Sequence, residues 1–349
     1  MSVEPQDELT YEHYGIKAPK DKLVFDYMVE FWKDVPKDKR VKKYTLAHII
    51  KDELPEIFKD AEEVRDIIRK LTKNQGNKNS KRPDIEFTPD NPMGITHSFS
   101  YNQATILEIP EKYDKVLIIS DLQVPFHDVP ALTLALNYGI EHGMNCLYIN
   151  GDLADWMAIS RFEDNPLKRR MKVEYYTVLQ VLEDIRRIVG PDVKIYYKLG
   201  NHDIRWERYL WKHSYDICNL PFTSYQEALN LDKLDIELVG DTTEARFGKL
   251  SVYHGHELKV YSSVNPARGF YVKYEGNILG GHHHRTASHI SKTGRGQYQG
   301  AWSTGCLCQM RPEFAVVNKW NHGFAFVEWT KKNFDVHNMM IIDGKVMNG

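Results

Sequence analysis

VLIISDLQVPFHD, residues 116–128, runs from an apolar, β-branched stretch straight into a polar loop, and this junction recurs along the chain. GDLAD at 151–155 follows the apolar run 146–149, and GNHD at 200–203 follows 193–199. HGH at 254–256 follows 250–253, and GHHH at 281–284 follows 277–279. Each run reads as a buried strand. The polar residues therefore fall on loops at strand ends, where an open α/β sheet keeps its chemistry. Asp, Asn and His recur there, the oxygen and imidazole donors that suit divalent ions such as Mn, Fe, Zn or Mg. One such junction means little; five in order make a site.

Between the junctions the pattern turns helical. Residues 130–142 are amphipathic, 171–189 carry Val173, Val178, Val181, Leu182, Ile185 and Ile188 before Gly190-Pro191 stops them, and a further helix opens at 203–212. From about residue 236 the chain becomes β-rich, with 323–342 reading as a closing hairpin. Alternating strands and helices that give way to strands predict a pair of sheets flanked by helices.

Upstream, Leu23, Phe25, Met28, Val29, Phe31 and Trp32 suit one helix face, which Pro36 interrupts. Thr45 is read as the N-cap of a second helix with Leu46, Ile49, Ile50 and Leu54. Asp60 and Glu63 have the form of a capping box opening a third, with Val64, Ile67, Ile68 and Leu71 inward. With a tight turn between the last two, the group resembles a helix-turn-helix unit. Arg69, Lys70, Lys73, Lys78, Lys81 and Arg82 form a basic segment over 69–82, with no acid between Asp66 and Asp84. It reads equally as a solvated helix end with a polar linker or as a contact for nucleic-acid phosphates, DNA ahead of RNA. The expected layout is a polar tail over 1–20, a helical region over 21–75, a linker over 76–110 and an α/β domain over 111–349.

A chain of 349 residues exceeds a usual single core, in keeping with that layout. Its net charge of −2 argues against a uniformly basic coat while permitting local basic patches. Four cysteines, two of them Cys306 and Cys308, make no disulfide framework and point to a reducing cytoplasm. The acidic opening lacks a signal-peptide core, and no run approaches the ~18–20 apolar residues that span a bilayer. The expectation is a soluble cytoplasmic protein with no membrane partner.

Taken together, the motifs resemble the pattern of the calcineurin-like metallophosphoesterase superfamily, D-x-H, GD-x-x-D, GNH-D/E, H and GH-x-H, over about residues 115–330. SDLQVPFHD, GNHDIRWERYL and GCLC look more narrowly like phosphoesterases of bacteriophages and prophages, which implies a host cytoplasm. The resemblance implies an α/β fold, a four-layer αββα sandwich, with the small helix-turn-helix-like region outside the family pattern. It implies two divalent metal ions, Mn favoured, with Mg, Fe, Zn or Ni as alternatives. By position, Asp121 binds the first ion, Asp152 bridges both, Asn201, His254 and His282 bind the second, and His284 returns to the first. His202, oriented by Asp155, approaches the leaving group. The residue types agree with this: a shared carboxylate holds two cations roughly 3.5–4 Å apart, activating a bridging hydroxide for in-line attack on phosphorus. An imidazole is suited to protonating the departing alkoxide near neutral pH.

One departure stands out, because Gln123 occupies the place of the family's first histidine. Its amide oxygen ligates more weakly and is harder than imidazole, so that site prefers Mn or Mg over Zn, fills only with substrate, or has low affinity. His127 is either a substitute ligand or an ordinary loop histidine. His283 points away from its neighbours, in a structural or substrate-contacting role, and His256 belongs behind the ligands or to a substrate wall. Cys306 and Cys308 lack a partner pair and read as buried strand residues. Arg161, Arg169, Arg170, Arg205 and Arg208 follow two motif loops, and Arg161 and Arg205 are taken to face the substrate's phosphates. Trp156, Phe162, Tyr175, Tyr176, Trp206, Tyr209 and Trp211 serve either as core or as stacking surfaces for bases.

Three functions follow. The leading one is a metal-dependent nucleic-acid phosphodiesterase, a DNA nuclease. The second keeps the chemistry but acts as a phosphomonoesterase on phosphoprotein or nucleotides. The third, resting on Gln123 alone, is an inactive DNA-binding or assembly protein.

Overall fold

The computed structural model describes residues 16–33, 35, 40–72, 104–161, 170–218, 220–260 and 264–349. The chain divides into two compact units, Met1–Tyr101 and Asn102–Gly349.

In the first unit, α1 (Pro19–Trp32), α2 (Lys43–Glu53) and α3 (Ala61–Leu71) enclose a core of Val24, Phe25, Trp32, Leu46, Ile50, Phe58, Val64, Ile68 and Leu71. The Asp60 carboxylate caps α3, accepting from the Glu63 N–H at 2.9 Å, while Glu63 accepts from the Lys59 N–H at 2.8 Å. The capping box thus forms with its return bond one residue early. Thr45 is not a cap: α2 starts at Lys43, and the Leu46 N–H already donates to the Lys42 carbonyl at 3.0 Å. The connection over 54–60 exceeds the three- or four-residue turn of a helix-turn-helix and sends Phe58 into the core. Arg69 is engaged by Glu62 and Asp66, and Lys70 by Asp21 at 2.6 Å. Lys73, Lys78, Lys81 and Arg82 lie outside the described residues.

The second unit runs β1 (Ile106–Glu108), β2 (Lys115–Ile119), α4 (Val129–Glu141), β3 (Cys146–Asn150), α5 (Met171–Val189), β4 (Lys194–Lys198), α6 (Arg205–His213) and the short α7 (Tyr225–Ala228). It continues with β5 (Ile236–Val239), β6 (Glu244–Phe247), β7 (Leu250–Val252), α8 (Pro266–Tyr274), β8 (Ile278–Gly280), β9 (Ala287–Lys292), β10 (Tyr298–Ser303), β11 (His322–Trp329), β12 (Phe334–Ile342) and β13 (Lys345–Asn348). One sheet has the order β13-β12-β11-β2-β3-β4-β5 and the other β1-β6-β7-β8-β10-β9. β1 lies inside the stretch expected to be linker, paired with β6, and β13 extends the expected closing hairpin.

Strand β2 shows how the layers arise. Leu117 and Ile119 join the core beneath α4 and α5, whereas Val116 and Ile118 face the second sheet with Tyr148, Phe247 and Leu279. A strand covered on both faces needs apolar residues at every position, which is why it reads as an unbroken run. On the far side, α8 packs Ala267 and Phe270 over Ile278 and Ala301. The expected αββα order is present. Ile119 pairs with Ile149 and Ile149 with Tyr197, so β2, β3 and β4 release their loops at the same edge. β7 and β8 run parallel beside each other in the second sheet, Val252 opposite Leu279.

Candidate metal centre

The loops after β2, β3 and β4 are tied together before any ligand is considered. Backbone N–H groups of Asp121, Gln123 and Val124 donate to the carbonyls of Gly151, Asp152 and Leu153. The buried Asp203 carboxylate then accepts from the Asp152 N–H (2.7 Å), Ala154 N–H (3.0 Å), Gly200 N–H (2.8 Å) and Tyr197 hydroxyl (2.6 Å). One carboxylate thereby fixes the GDLAD and GNHD loops on each other. The motif glycines leave room for this packing: a Cβ on Gly200 would collide with the Asp152 carboxylate, and one on Gly151 with the His254 ring. Asp121, Gln123, Asp152, His282 and His284 all sit at positive φ, between 49° and 67°. Such backbone costs about 1–3 kcal/mol per residue and clusters at working sites.

Each aspartate uses one oxygen for structure and leaves the other to the centre. Asp121 Oδ2 accepts from the Ser120 hydroxyl and the His282 N–H at 2.9 Å, while Oδ1 faces His284 Nε2 at 3.2 Å and His254 Nε2 at 3.9 Å. Asp152 Oδ1 accepts from the His202 N–H at 2.8 Å, while Oδ2 lies 3.2 Å from His254 Nε2. The second nitrogen of His254, Nδ1, meets the Asn150 carbonyl at 2.7 Å, which turns Nε2 inward. Asp121 Oδ1, Asn201 Oδ1 and His254 Nε2 are buried without a hydrogen-bond partner. Buried polar atoms are seldom left so. The donor atoms of Asp152, His254 and His282 lie within 4.8 Å of one another. This donor set fits a divalent cation.

Electrostatics agree. Burial pushes the carboxyls of Asp121 and Asp152 up, but the imidazoles of His284 and His254 beside the first, and of His254 and His202 beside the second, hold both below the ordinary range. Burial opposes charge on His254 and His284 as well. The Asp152 and Asp121 carboxylates nonetheless raise His254 to about 10, and Asp121 raises His284 to about 10. Burial and the neighbouring His254 press His282 down to about 3. The protonated His254 and His284 balance the two carboxylates here, and a divalent ion would take over that role in exchange for their protons.

Gln123 is buried with its amide nitrogen 3.4 Å from His284 Nε2, beside the residues expected to hold the first ion. His284 Nδ1 contacts Cys308 Sγ at 3.8 Å, and the donor atoms of His284, Cys306 and Cys308 also fall within 4.8 Å of one another. The two cysteines are buried, as expected, but they stand directly behind His284, which the sequence reading did not anticipate. His127 Nδ1 is buried without a hydrogen-bond partner, and burial pushes the imidazole's pKa down. His283 Nε2 is likewise without a hydrogen-bond partner, its ring against Phe270.

Beside the centre, His202 Nδ1 meets Asp155 Oδ1 at 2.5 Å, and Arg205 Nη1 donates to the Asp155 carbonyl at 2.7 Å. Arg205 Nη2 lies 3.1 Å from His202 Nε2, so the three expected residues are brought together. Arg161 is exposed just past the 3₁₀ turn Met157–Ile159, and Phe162 and Arg169 lie outside the described residues. Trp156, Tyr175 and Trp206 are packed against one another and Tyr225, while Tyr176, Tyr209 and Trp211 are exposed.

Two supports were missed from sequence. Lys198, fully buried at the end of β4, donates to the Asp241 and Thr243 carbonyls at 2.8 Å and pairs with Glu257 at 3.0 Å. Glu257 in turn accepts from the N–H groups of His254 and Gly255, and so holds the HGH loop. Glu174 of α5 accepts from the Met157 and Ala158 N–H groups below the GDLAD loop.

No family model matches the chain. The gene 54 protein of Mycobacterium phage L5 is 26% identical over 231 residues, covering 61% of this chain and 88% of that protein. Similar solved structures include a Vps29 of Entamoeba histolytica complexed with zinc, 16% identical with a TM-score of 0.36, covering 67% of this chain and 96% of that one. Others are the Pseudomonas putida nuclease MPE (14%, TM-score 0.29, 63% and 85% covered) and a dimetal phosphatase of Danio rerio (10%, 0.34, 68% and 99%). On the order of its five motifs, its αββα layers and the convergence of those motifs on one buried centre, the chain has the calcineurin-like metallophosphoesterase fold.

Proposed function

We propose that the chain is a dinuclear metal-dependent phosphodiesterase acting on nucleic acid, DNA ahead of RNA. The observation that supports the metal-dependent chemistry is a set of buried donor atoms on Asp121, Asn201 and His254, without hydrogen bonds, beside the His202–Asp155 pair. Asp121, Gln123 and His284 would hold one ion, Asn201, His254 and His282 the other, with Asp152 between them. When bound, two divalent cations supply charge for the phosphoryl oxygens and make water nucleophilic near neutral pH. Gln123 in place of imidazole favours Mn or Mg at the first position.

The chain's own residues do the rest. Asp155 fixes the His202 ring through Nδ1 and turns Nε2 toward Asp152 Oδ2, 3.8 Å away; once Arg205 leaves Nε2 for the substrate, that nitrogen would carry the proton for a departing oxygen. Arg205, against that same nitrogen, offers a planar cation to a phosphate oxygen. The similarity to a phage protein supports action in the cytoplasm of a bacterial host. Among the described residues no helix is long and apolar enough to cross a membrane.

The test titrates metal-free protein with Mn, Mg, Zn and Ni against labelled single- and double-stranded DNA and RNA, a phosphopeptide and bis-para-nitrophenyl phosphate. Metal-dependent strand cleavage, lost in Asp152→Asn and His202→Ala, is the expected result. Turnover of the phosphopeptide or small diester without strand cleavage replaces the nuclease by a phosphatase. Tight DNA binding without any turnover makes the chain a binding protein.

A further inference from the structure

Helix α6 starts directly after the GNHD loop and has no buried residue. One side of it is anchored: the Trp206 indole donates to the Thr223 carbonyl at 2.8 Å and packs against Trp156 and Tyr175. Arg205, Arg208, Tyr209 and Lys212 follow the i, i+3, i+4, i+7 spacing and therefore share one face. The first of them sits in the site, against His202. Among the described residues Arg208 and Lys212 form no ion pair, and both are exposed. Glu207, the acid of this helix, lies off that face and is half-buried. Tyr209, 41% exposed, has its ring beside His213 at 4.7 Å. A helix that leaves a reaction site with three cations and an open aromatic ring in a line matches a polyanion carrying planar groups.

We infer that this face is the binding track for a single-stranded nucleic-acid chain on one side of the scissile phosphate, an inference that rests on the phosphodiesterase reading above. Arg205 serves the reacting phosphate, Arg208 and Lys212 the phosphates that follow, and Tyr209 stacks on an unpaired base. From Arg205 to Lys212 the helix rises roughly 10 Å, so the cations stand on successive turns along one line.

Binding of a labelled single-stranded oligonucleotide to Mn-loaded His202→Ala protein, followed by anisotropy over a range of salt, tests this. A single-strand contact contributes a salt slope of about 0.7 per neutralised phosphate. Adding Arg208→Ala and Lys212→Ala should therefore flatten the slope by about 1.4 and weaken binding roughly 25-fold at ~0.1 M salt relative to 1 M. Lys249→Ala, an exposed charge on the β6–β7 turn, should leave binding as it was. Tyr209→Ala should weaken binding with the slope unchanged, and Tyr209→Phe should preserve it. An unchanged slope in the double variant, an equal loss in Lys249→Ala, or equal binding of a phosphopeptide through the same residues overturns the track. Strand binding through the stripe without cleavage by the wild-type protein keeps the track and removes the nuclease reading. Strand cleavage that ignores Arg208 and Lys212 does the reverse.

Discussion

Asp155 contributes nothing to the ligand cluster, so its effect on the reaction passes through His202. Asp155→Asn should lower kcat by about 10²–10⁴-fold, the usual worth of a positioned proton donor, while bound metal per chain stays as in the wild type. A loss of metal in that variant would make Asp155 a support of the centre instead. Gln123→His restores the family's ligand and should tighten retention of the first metal by roughly 10–100-fold, with Zn gaining most. Competition against a chelator reads this directly. The candidate ligands were legible as a group because metal binding dictates residue type and spacing at strand ends. Asp203, Lys198 and Glu257 were not, because they act by holding backbone N–H and carbonyl groups of other loops. That work places no demand on residue types nearby in sequence. His284 shows the same limit: its place beside Gln123 was readable, but Cys308 behind it was not.

At the level of elements, α5 supports the site through one buried acid. Burial raises the Glu174 carboxyl from 4.5 to about 7, although the two backbone N–H bonds it accepts favour the charged form. The folded chain therefore keeps a proton that the unfolded chain has lost. Its contribution to stability is fully present below about pH 4.5 and declines as pH rises through about 7, by about 3 kcal/mol in all at ~1.4 kcal/mol per unit. Urea unfolding near pH 5 and near pH 8 should show the wild type losing stability relative to Glu174→Gln by about that amount. Parallel pH curves would mean that Glu174 is charged throughout. The helix itself, Met171–Val189, was fully legible from its period and its Gly-Pro stop. Strands β1 and β13, three and four residues at sheet edges, are too short to display a period and were missed. The start of α2 was misplaced for a different reason: Thr45 has a cap's chemistry, yet the Lys42 carbonyl has already begun the helix.

For the whole molecule, the decisive fact is that each hydrophobic cluster among the described residues draws on one unit. The helical core uses residues up to Leu71, and the cores of the sandwich begin at Ile109. Every candidate ligand, together with His202, Asp155 and the Lys198–Glu257 pair, lies in the second unit. A chain starting at residue 102 should therefore fold alone and hydrolyse bis-para-nitrophenyl phosphate with the metal dependence of the full protein. Starting after residue 110 instead, at the end of the expected linker, should be worse. It deletes β1, exposes the β6 edge, and removes the Ile109 side chain from between the sheets. Loss of one buried isoleucine alone costs about 2–5 kcal/mol, a large part of the stability of a domain this size. Comparing denaturant midpoints of the two fragments places the boundary. If they unfold alike, β1 adds nothing and the sandwich begins at β2.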